Sequence, residues 1–190
     1  MQPTLVLVQE HRVIERVIAA LETAANKLER GEPVRPGFFL DGVDFIRGYA
    51  DGCHHHKEEG ALFPALAEAG VPATTGPVAV ILAEHEQGRQ FTRAMADAVP
   101  RWQAGENAAI SVVIENARGY AALLRQHIHK EDAILFPLSE QRLGESQKAK
   151  LTAEFERIER EDTGTGIHEK FLALAGKLEK EIGVGEKPET

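Results

Sequence analysis

One eleven-residue string occurs twice in this chain. His54-His55-His56-Lys57-Glu58-Glu59-Gly60-Ala61-Leu62-Phe63-Pro64 returns as His127-Ile128-His129-Lys130-Glu131-Asp132-Ala133-Ile134-Leu135-Phe136-Pro137, with seven of eleven positions identical at an offset of 73. Glu10-His11 and Glu84-His85 form a second echo, 74 residues apart. Two echoes at nearly one spacing mark a duplicated supersecondary unit, which must bury a matching face in each half.

The surrounding pattern predicts that the unit is helical. Leu7, His11, Ile14, Ile18, Leu21 and Leu28 recur at helical spacing in a first helix that starts after Pro3 and runs to about Arg30, with Gly31 as its stop. A loop over Glu32 to Pro36 leads to a second helix from Gly37 to about Glu68. Gly48 and Gly52 weaken this helix, or let a neighbour approach it. Thr75 is the expected N-cap of a third helix that ends near Ala98, ahead of Pro100. A fourth helix follows Gly105 and reaches about Pro137, and Pro64 and Pro137 are each expected to end or kink a helix. From Gly144 the duplication fails. A fifth helix is expected over about Glu145 to Glu161, then a Gly164-Thr165-Gly166 break, a sixth over about Ile167 to Ile182, and a frayed tail from Gly183 to Thr190. Sustained period-two alternation is absent, so the predicted fold is all-α. Four long helices with short connections predict an up-down-up-down four-helix bundle over residues 1–140, each half a helical hairpin. Residues 141–190 form a helical extension packed on it.

At 43% hydrophobic residues, the 190-residue chain can build a core without disulfides, and lone Cys53 fits a reducing cytoplasm. A net charge of −8 argues against nucleic acid as a partner. No apolar run approaches the ~18 residues of a membrane span, and the N-terminus lacks the basic flank of a signal peptide.

Residues four apart on a helix differ by about 40° in direction and about 6 Å in height. His54 and Glu58 therefore reach one point, as do His127 and Glu131, while His11 and His85 come from the other two helices. Four imidazoles and two carboxylates facing inward are enough for a pair of metal ions, because a carboxylate can bridge with its two oxygens and imidazole suits iron, zinc, copper or nickel. The competing reading is packing alone: a single inward histidine is more often a satisfied core residue, and a duplicated scaffold repeats Leu-Phe-Pro for packing. Packing does not explain why His and Glu recur at apolar-facing spacing, and burying six ionisable groups without a cation is costly.

With these motifs, residues 5 to 140 resemble the hemerythrin-like, His-His-Glu cation-binding family. The residues that carry the resemblance are Glu10-His11, His54 and Glu58 before Leu62-Phe63-Pro64, Glu84-His85, and His127 and Glu131 before Leu135-Phe136-Pro137. The resemblance implies a four-helix bundle around two non-haem iron ions with an oxo or hydroxo bridge. His11, His54, His85 and His127 would be terminal ligands, and Glu58 and Glu131 would bridge. Oxygen-carrying hemerythrins have a further histidine four residues after the one matching His85, where this chain has Arg89, and a fourth-helix aspartate five residues after its histidine, the place of Asp132. The lost histidine implies a more open iron. It favours chemistry with dioxygen, peroxide or nitric oxide over reversible oxygen carriage. Di-iron proteins of iron–sulfur repair share the four-histidine, two-glutamate pattern.

Neighbouring residues carry two readings each. A register shift would pair His55 with Glu59, but Ile128 and Asp132 fill those places in the second copy, so His54 with Glu58 is preferred. Glu15, four after His11, is a further ligand or a partner of Arg12, Arg16 or Arg89. Tyr120, two turns before His127, is core or a hydrogen-bond donor near the metals. Tyr120, Arg89 and Glu15 are thus the expected groups just outside the ligands. His56 and His129 are expected on the surface or behind the ligands, Cys53 as an inert buried thiol, and His168 as a cap of the last helix. The Glu-x-x-His pairs of ferritin-like bundles are missing; Asp51-x-x-His54 comes nearest, and Leu124 holds the matching place before His127. Structural zinc would favour cysteines, and a haem-attachment Cys-x-x-Cys-His is absent.

The function that follows is binding or turnover of a small diatomic or peroxide, including a peroxide- or nitric-oxide-reactive oxidoreductase served by an electron-donor protein and acting as a monomer or dimer. Iron or oxygen sensing or storage without turnover is the alternative, and a metal-free structural bundle the third reading.

Overall fold

The structure is a computed structural model that describes residues 2–164 and 166–184. The described residues form helices and no strand. Helix α1 is Thr4–Glu29. Helix α2 is a continuous rod over 36–68, built from an α-helical Pro36–Phe45, a π-helical Ile46–His55, a second π segment Glu58–Leu62, and an α-helical Phe63–Glu68. Helix α3 is Gly76–Gln103. Helix α4 covers 108–142, as Ala108–Lys130, a π segment Glu131–Leu135 and Phe136–Arg142. Helix α5 covers 145–163 and ends in a π segment, Ile158–Thr163, and α6 is Ile167–Ile182.

Proline breaks this pattern less than the sequence predicts. Helix α2 runs through Pro64 to Glu68, and α4 runs through Pro137 to Arg142. Each proline is the second residue after a π segment. The ladder there has already shifted to i→i+5 bonding, so the missing N–H and the bulky ring fall where the α-helical register is interrupted. Helix α3 also passes Pro100 and ends at Gln103, where the Ala104 N–H bonds back to the Pro100 carbonyl at 3.0 Å. Thr75 holds the N-cap position with extended backbone, but its side chain caps nothing. Gly164 and Gly166 have φ of 94° and 81° at the break between α5 and α6. Thr165, and the expected tail from 185 onward, lie outside the described residues.

Helix α4 packs along both α3 and α1, and the first half of α2 packs on α3. The extension is part of the fold: α6 lies on α1 and α2, and α5 rests on the second π segment of α2. Gly48 explains how α6 gets so close. A Cβ at that position would sit 1.9 Å from Cζ of Phe171, so the missing side chain is the socket for that ring.

Among the described residues, buried hydrocarbon collects in two clusters. The larger joins Ile14, Ile18, Leu21, Phe45, Tyr49, Met95, Val113 and Leu124 to Phe171 and Leu178 of α6. The smaller joins Leu7, Leu62, Phe63, Ile81, Leu135 and Phe136 to Leu151, Phe155 and Ile158 of α5.

Candidate metal centre

Each of the first four helices passes from one apolar cluster to the other, and each carries polar groups at the crossing. On α1, His11 follows Leu7 and precedes Ile14. On α2, His54 and Glu58 lie between Tyr49 and Leu62. On α3, His85 lies between Ile81 and Met95, and on α4, His127 and Glu131 lie between Leu124 and Leu135. All six predicted ligands are buried. A layer of ionisable groups between two layers of hydrocarbon is costly unless something compensates it.

The six converge, and a seventh joins them. His11, His54, Glu58 and Glu131 form one group whose ligand atoms all lie within 4.8 Å of one another; His55, Glu58, His85 and His127 form a second. Glu58 belongs to both. Its Oε1 is 3.8 Å from Nε2 of His54, and its Oε2 is 3.3 Å from Nε2 of His85. Glu131 also spans the centre, with Oε2 3.1 Å from Nε2 of His11 and 3.2 Å from Nε2 of His127. His11 and His54 face each other through their Nε2 atoms at 2.9 Å.

The outer nitrogens decide which way these rings serve. Nδ1 of His11 donates to Asp132 at 2.7 Å, that of His54 to Glu10 at 3.0 Å, that of His55 to Asp51 at 2.9 Å, that of His85 to Glu59 at 2.7 Å, and that of His127 to Glu84 at 3.1 Å. An ionised carboxylate only accepts, so each Nδ1 carries the proton and each Nε2 of a neutral ring turns a lone pair inward. The inward atoms are short of partners: Nε2 of His55, His85 and His127 and all four oxygens of Glu58 and Glu131 have no hydrogen bond. A carboxylate behind each imidazole, with bare nitrogens and oxygens in front, is the arrangement that holds a transition-metal ion. The residues fit paired cations.

The duplication extends to this outer layer. Glu10 holds His54 and Lys57, and Glu84 holds His127 and Lys130. Asp132, gripped by Arg12, holds His11, and Glu59, gripped by Arg89, holds His85. The sequence reading has Glu10 and Glu84 in the motif and Glu59 only as a register-shifted partner of His55, none of them behind a ligand; their place inside the echoes was the available signal.

Without a cation these groups must keep protons. Burial alone would lower the His11 imidazolium, but Asp132 on its Nδ1 and the Glu131 carboxylate 3.1 Å from its Nε2 outweigh that and carry it up to about 9. His85 behaves alike: burial is overcome by Glu58 and Glu59, again to about 9. Burial, then the charge of Glu58, pushes Glu131 up to about 8. Burial drives His55 well below its ordinary value, with help from the charge of His85, and takes His127 down to about 4. A divalent ion would replace the protons on His11, His85 and Glu131.

His55 is the residue the sequence reading turned away. Both His54 and His55 face the centre, because the i→i+5 turn of Ile46–His55 reduces the rotation that separates neighbours in an α-helix. On the Arg89 side of the layer, His55 thus stands with Glu58, His85 and His127, their ligand atoms within 4.8 Å of one another. Tyr120 is buried beside His85 and His127, with its hydroxyl unpartnered. Glu15 stays outside, paired with Arg12 at 2.7 Å. His56 and His129 are exposed. Cys53 is buried, and that burial pushes its thiol up to about 11. His168 caps nothing: its ring meets the edge of Tyr49, and its Nδ1 is 3.3 Å from Glu159.

Comparison with known proteins agrees with this geometry. The family model described as the hemerythrin HHE cation binding domain matches residues 2–139. Uncharacterized proteins of Mycobacterium tuberculosis (strain H37Rv) and Mycobacterium bovis are each 21% identical over 178 residues, which is 94% of this chain and 69% of theirs. No solved structure matches significantly.

Proposed function

The chain belongs to the hemerythrin HHE cation-binding family, and we propose that it is a di-iron protein that binds or reacts with dioxygen, peroxide or nitric oxide. In this reading residues 1–140 are the metal-binding unit, an up-down-up-down four-helix bundle, and 141–190 are its extension. His11, His54, His85 and His127 are terminal ligands, and Glu58 and Glu131 are bridges. The observation that carries the reading is the pair of four-donor groups that share Glu58, with every inward nitrogen backed by a carboxylate.

Two iron ions held by His11, His54, Glu58, His85, His127 and Glu131 would supply one-electron redox chemistry and a position for a small molecule. The chain's own residues do the rest. The two apolar clusters keep bulk water away from the layer between them. Carboxylates on five Nδ1 atoms fix the rings and raise the basicity of the inward nitrogens. Tyr120 offers a buried hydroxyl on the His85 and His127 side. An electron-donor protein and a cytoplasmic location complete the proposal.

The test is anaerobic iron loading followed by metal analysis and an optical spectrum of the oxidised protein. Two irons per chain and near-ultraviolet absorption that changes with peroxide or nitric oxide are expected. Fewer than two irons, or a spectrum that ignores both ligands, sinks the reading.

One observation favours sensing without turnover. The support of His54 runs through Glu10 and buried Lys57 to Glu159 of α5, 3.8 Å from the lysine. A change at the centre could thus reach the extension. Proteolysis of 145–182 that differs between reduced and oxygenated protein would raise this reading, and identical cleavage would retire it.

A further inference from the structure

Among the buried or half-buried positions at which the duplication is broken, three form one connected group. At the spacing of the repeat, Asp51 answers to Leu124, His55 to Ile128 and Arg89 to Glu15. Leu124 and Ile128 belong to the larger apolar cluster, and Glu15 is a surface group. In the other half the guanidinium of Arg89 reaches Glu59 at 2.6 Å and Asp51 at 3.5 Å. Asp51 accepts from Nδ1 of His55, and Glu59 accepts from Nδ1 of His85. One cation therefore ties together the carboxylates behind two imidazoles. Those two rings are stacked with centroids 3.8 Å apart, and His127 stands edge-on to both.

A histidine retained for stacking alone would leave its buried Nε2 unsatisfied, and leaving such an atom unpaired costs about 1–3 kcal/mol. Nε2 of His55 is buried and has no hydrogen-bond partner. It lies within 4.8 Å of donor atoms on Glu58, His85 and His127. We infer that His55 is a fifth imidazole donor, to a divalent first-row cation shared with His85 and His127, and that Arg89 is the positioning residue that aims His55 and His85 through Asp51 and Glu59. The inference rests on the two-cation reading above and makes the two ions unlike. One has three imidazoles, from His55, His85 and His127. The other would be held by two, from His11 and His54. The half of the repeat that lacks this set needs none, because Leu124 and Ile128 fill the same space with hydrocarbon.

Metal binding read without turnover tests this. Wild-type protein, H55A, R89M, R89K and the exposed-site control H129A are titrated anaerobically with Co(II). Cobalt content, visible absorption and chelator competition are recorded, with circular dichroism to check folding. Wild type and H129A should take two cobalt ions. In H55A one ion should weaken at least tenfold and the cobalt bands should change. R89M should weaken the same ion by about 10–100-fold. R89K should recover only part of the loss, since an ammonium lacks the fork that holds two carboxylates. If H55A misfolds, R89M decides, because Arg89 is half-buried at the edge of the layer. Two ions at wild-type affinity and spectrum in either well-folded variant would overturn the inference and leave the two-cation reading standing. A wild-type protein that takes up no cobalt would overturn both.

Discussion

A carboxylate behind an imidazole does two jobs, and single substitutions can separate them. Glu10 and Glu84 hold equivalent histidines and equivalent lysines, but Lys57 is wholly buried while Lys130 is partly exposed. Glu84→Ala should lower metal affinity by about 10–100-fold through loss of the His127 anchor, with little change in apo stability. Glu10→Ala should lower affinity alike and also destabilise the fold by about 3–5 kcal/mol, because Lys57 is left as an uncompensated buried charge. Chelator competition and urea melts on the two variants check the pair; equal melts would show that Lys57 finds another partner. These supporting residues explain what the sequence did and did not disclose. The convergence of His11, His54, Glu58, His85, His127 and Glu131 was readable because they recur at nearly one offset, 73 or 74, with α-helical spacing. His55 was not, because its counterpart is Ile128 and α-helical geometry turns it about 100° from His54. Arg89 was expected just outside the ligands, but as a partner of Glu15 rather than of Glu59 and Asp51.

At the level of elements, the helices were readable and their irregularities were not. Ile167–Ile182 matched its expected bounds, whereas Pro64, Pro100 and Pro137 failed to stop their helices. Hydrophobic period reports which face is buried; it does not report a change from i→i+4 to i→i+5 bonding. Glycine carried a partial signal. At Gly52 a Cβ would stand 2.9 Å from the Arg47 carbonyl oxygen, so the π turn that presents His54 and His55 has no room for a side chain there. At Gly48 the obstacle is Phe171 of the extension. Gly48→Ala should destabilise by about 1–3 kcal/mol, since overpacking exceeds the gain in helix propensity. Gly176→Ala is the matched control. It lies in α6 with nothing within 4 Å of the added Cβ, and it should stabilise by about 0.5–1 kcal/mol. Thermal melts of both variants measure the difference. A Gly48→Ala protein as stable as wild type would mean that α6 is not seated in the α2 groove.

The whole molecule is two apolar blocks with an ionisable seam between them, so its stability should follow the occupancy of that seam. In the apo protein His11 and His85 have values of about 9 against an ordinary 6.5, and Glu131 about 8 against 4.5. A value raised by folding means that the stabilisation is complete below the ordinary value and is lost as pH rises through the raised one. The contributions of His11 and His85 are therefore lost between pH 6.5 and 9, and that of Glu131 between pH 4.5 and 8. The lowered values of His54, His55 and His127 act below pH 6.5. Apo protein should melt at a lower temperature at pH 9 than at pH 6.5. A cation displaces the same protons, so it binds more tightly as pH rises. Each site held at a hundredfold excess of metal over its Kd adds about 2.7 kcal/mol. The loaded and apo melting curves should thus diverge with increasing pH, the gap being widest at pH 9 and closing when the metal is chelated. An apo melting temperature that rises from pH 6.5 to 9, or a gap that narrows, would mean that these protons are not held in the seam.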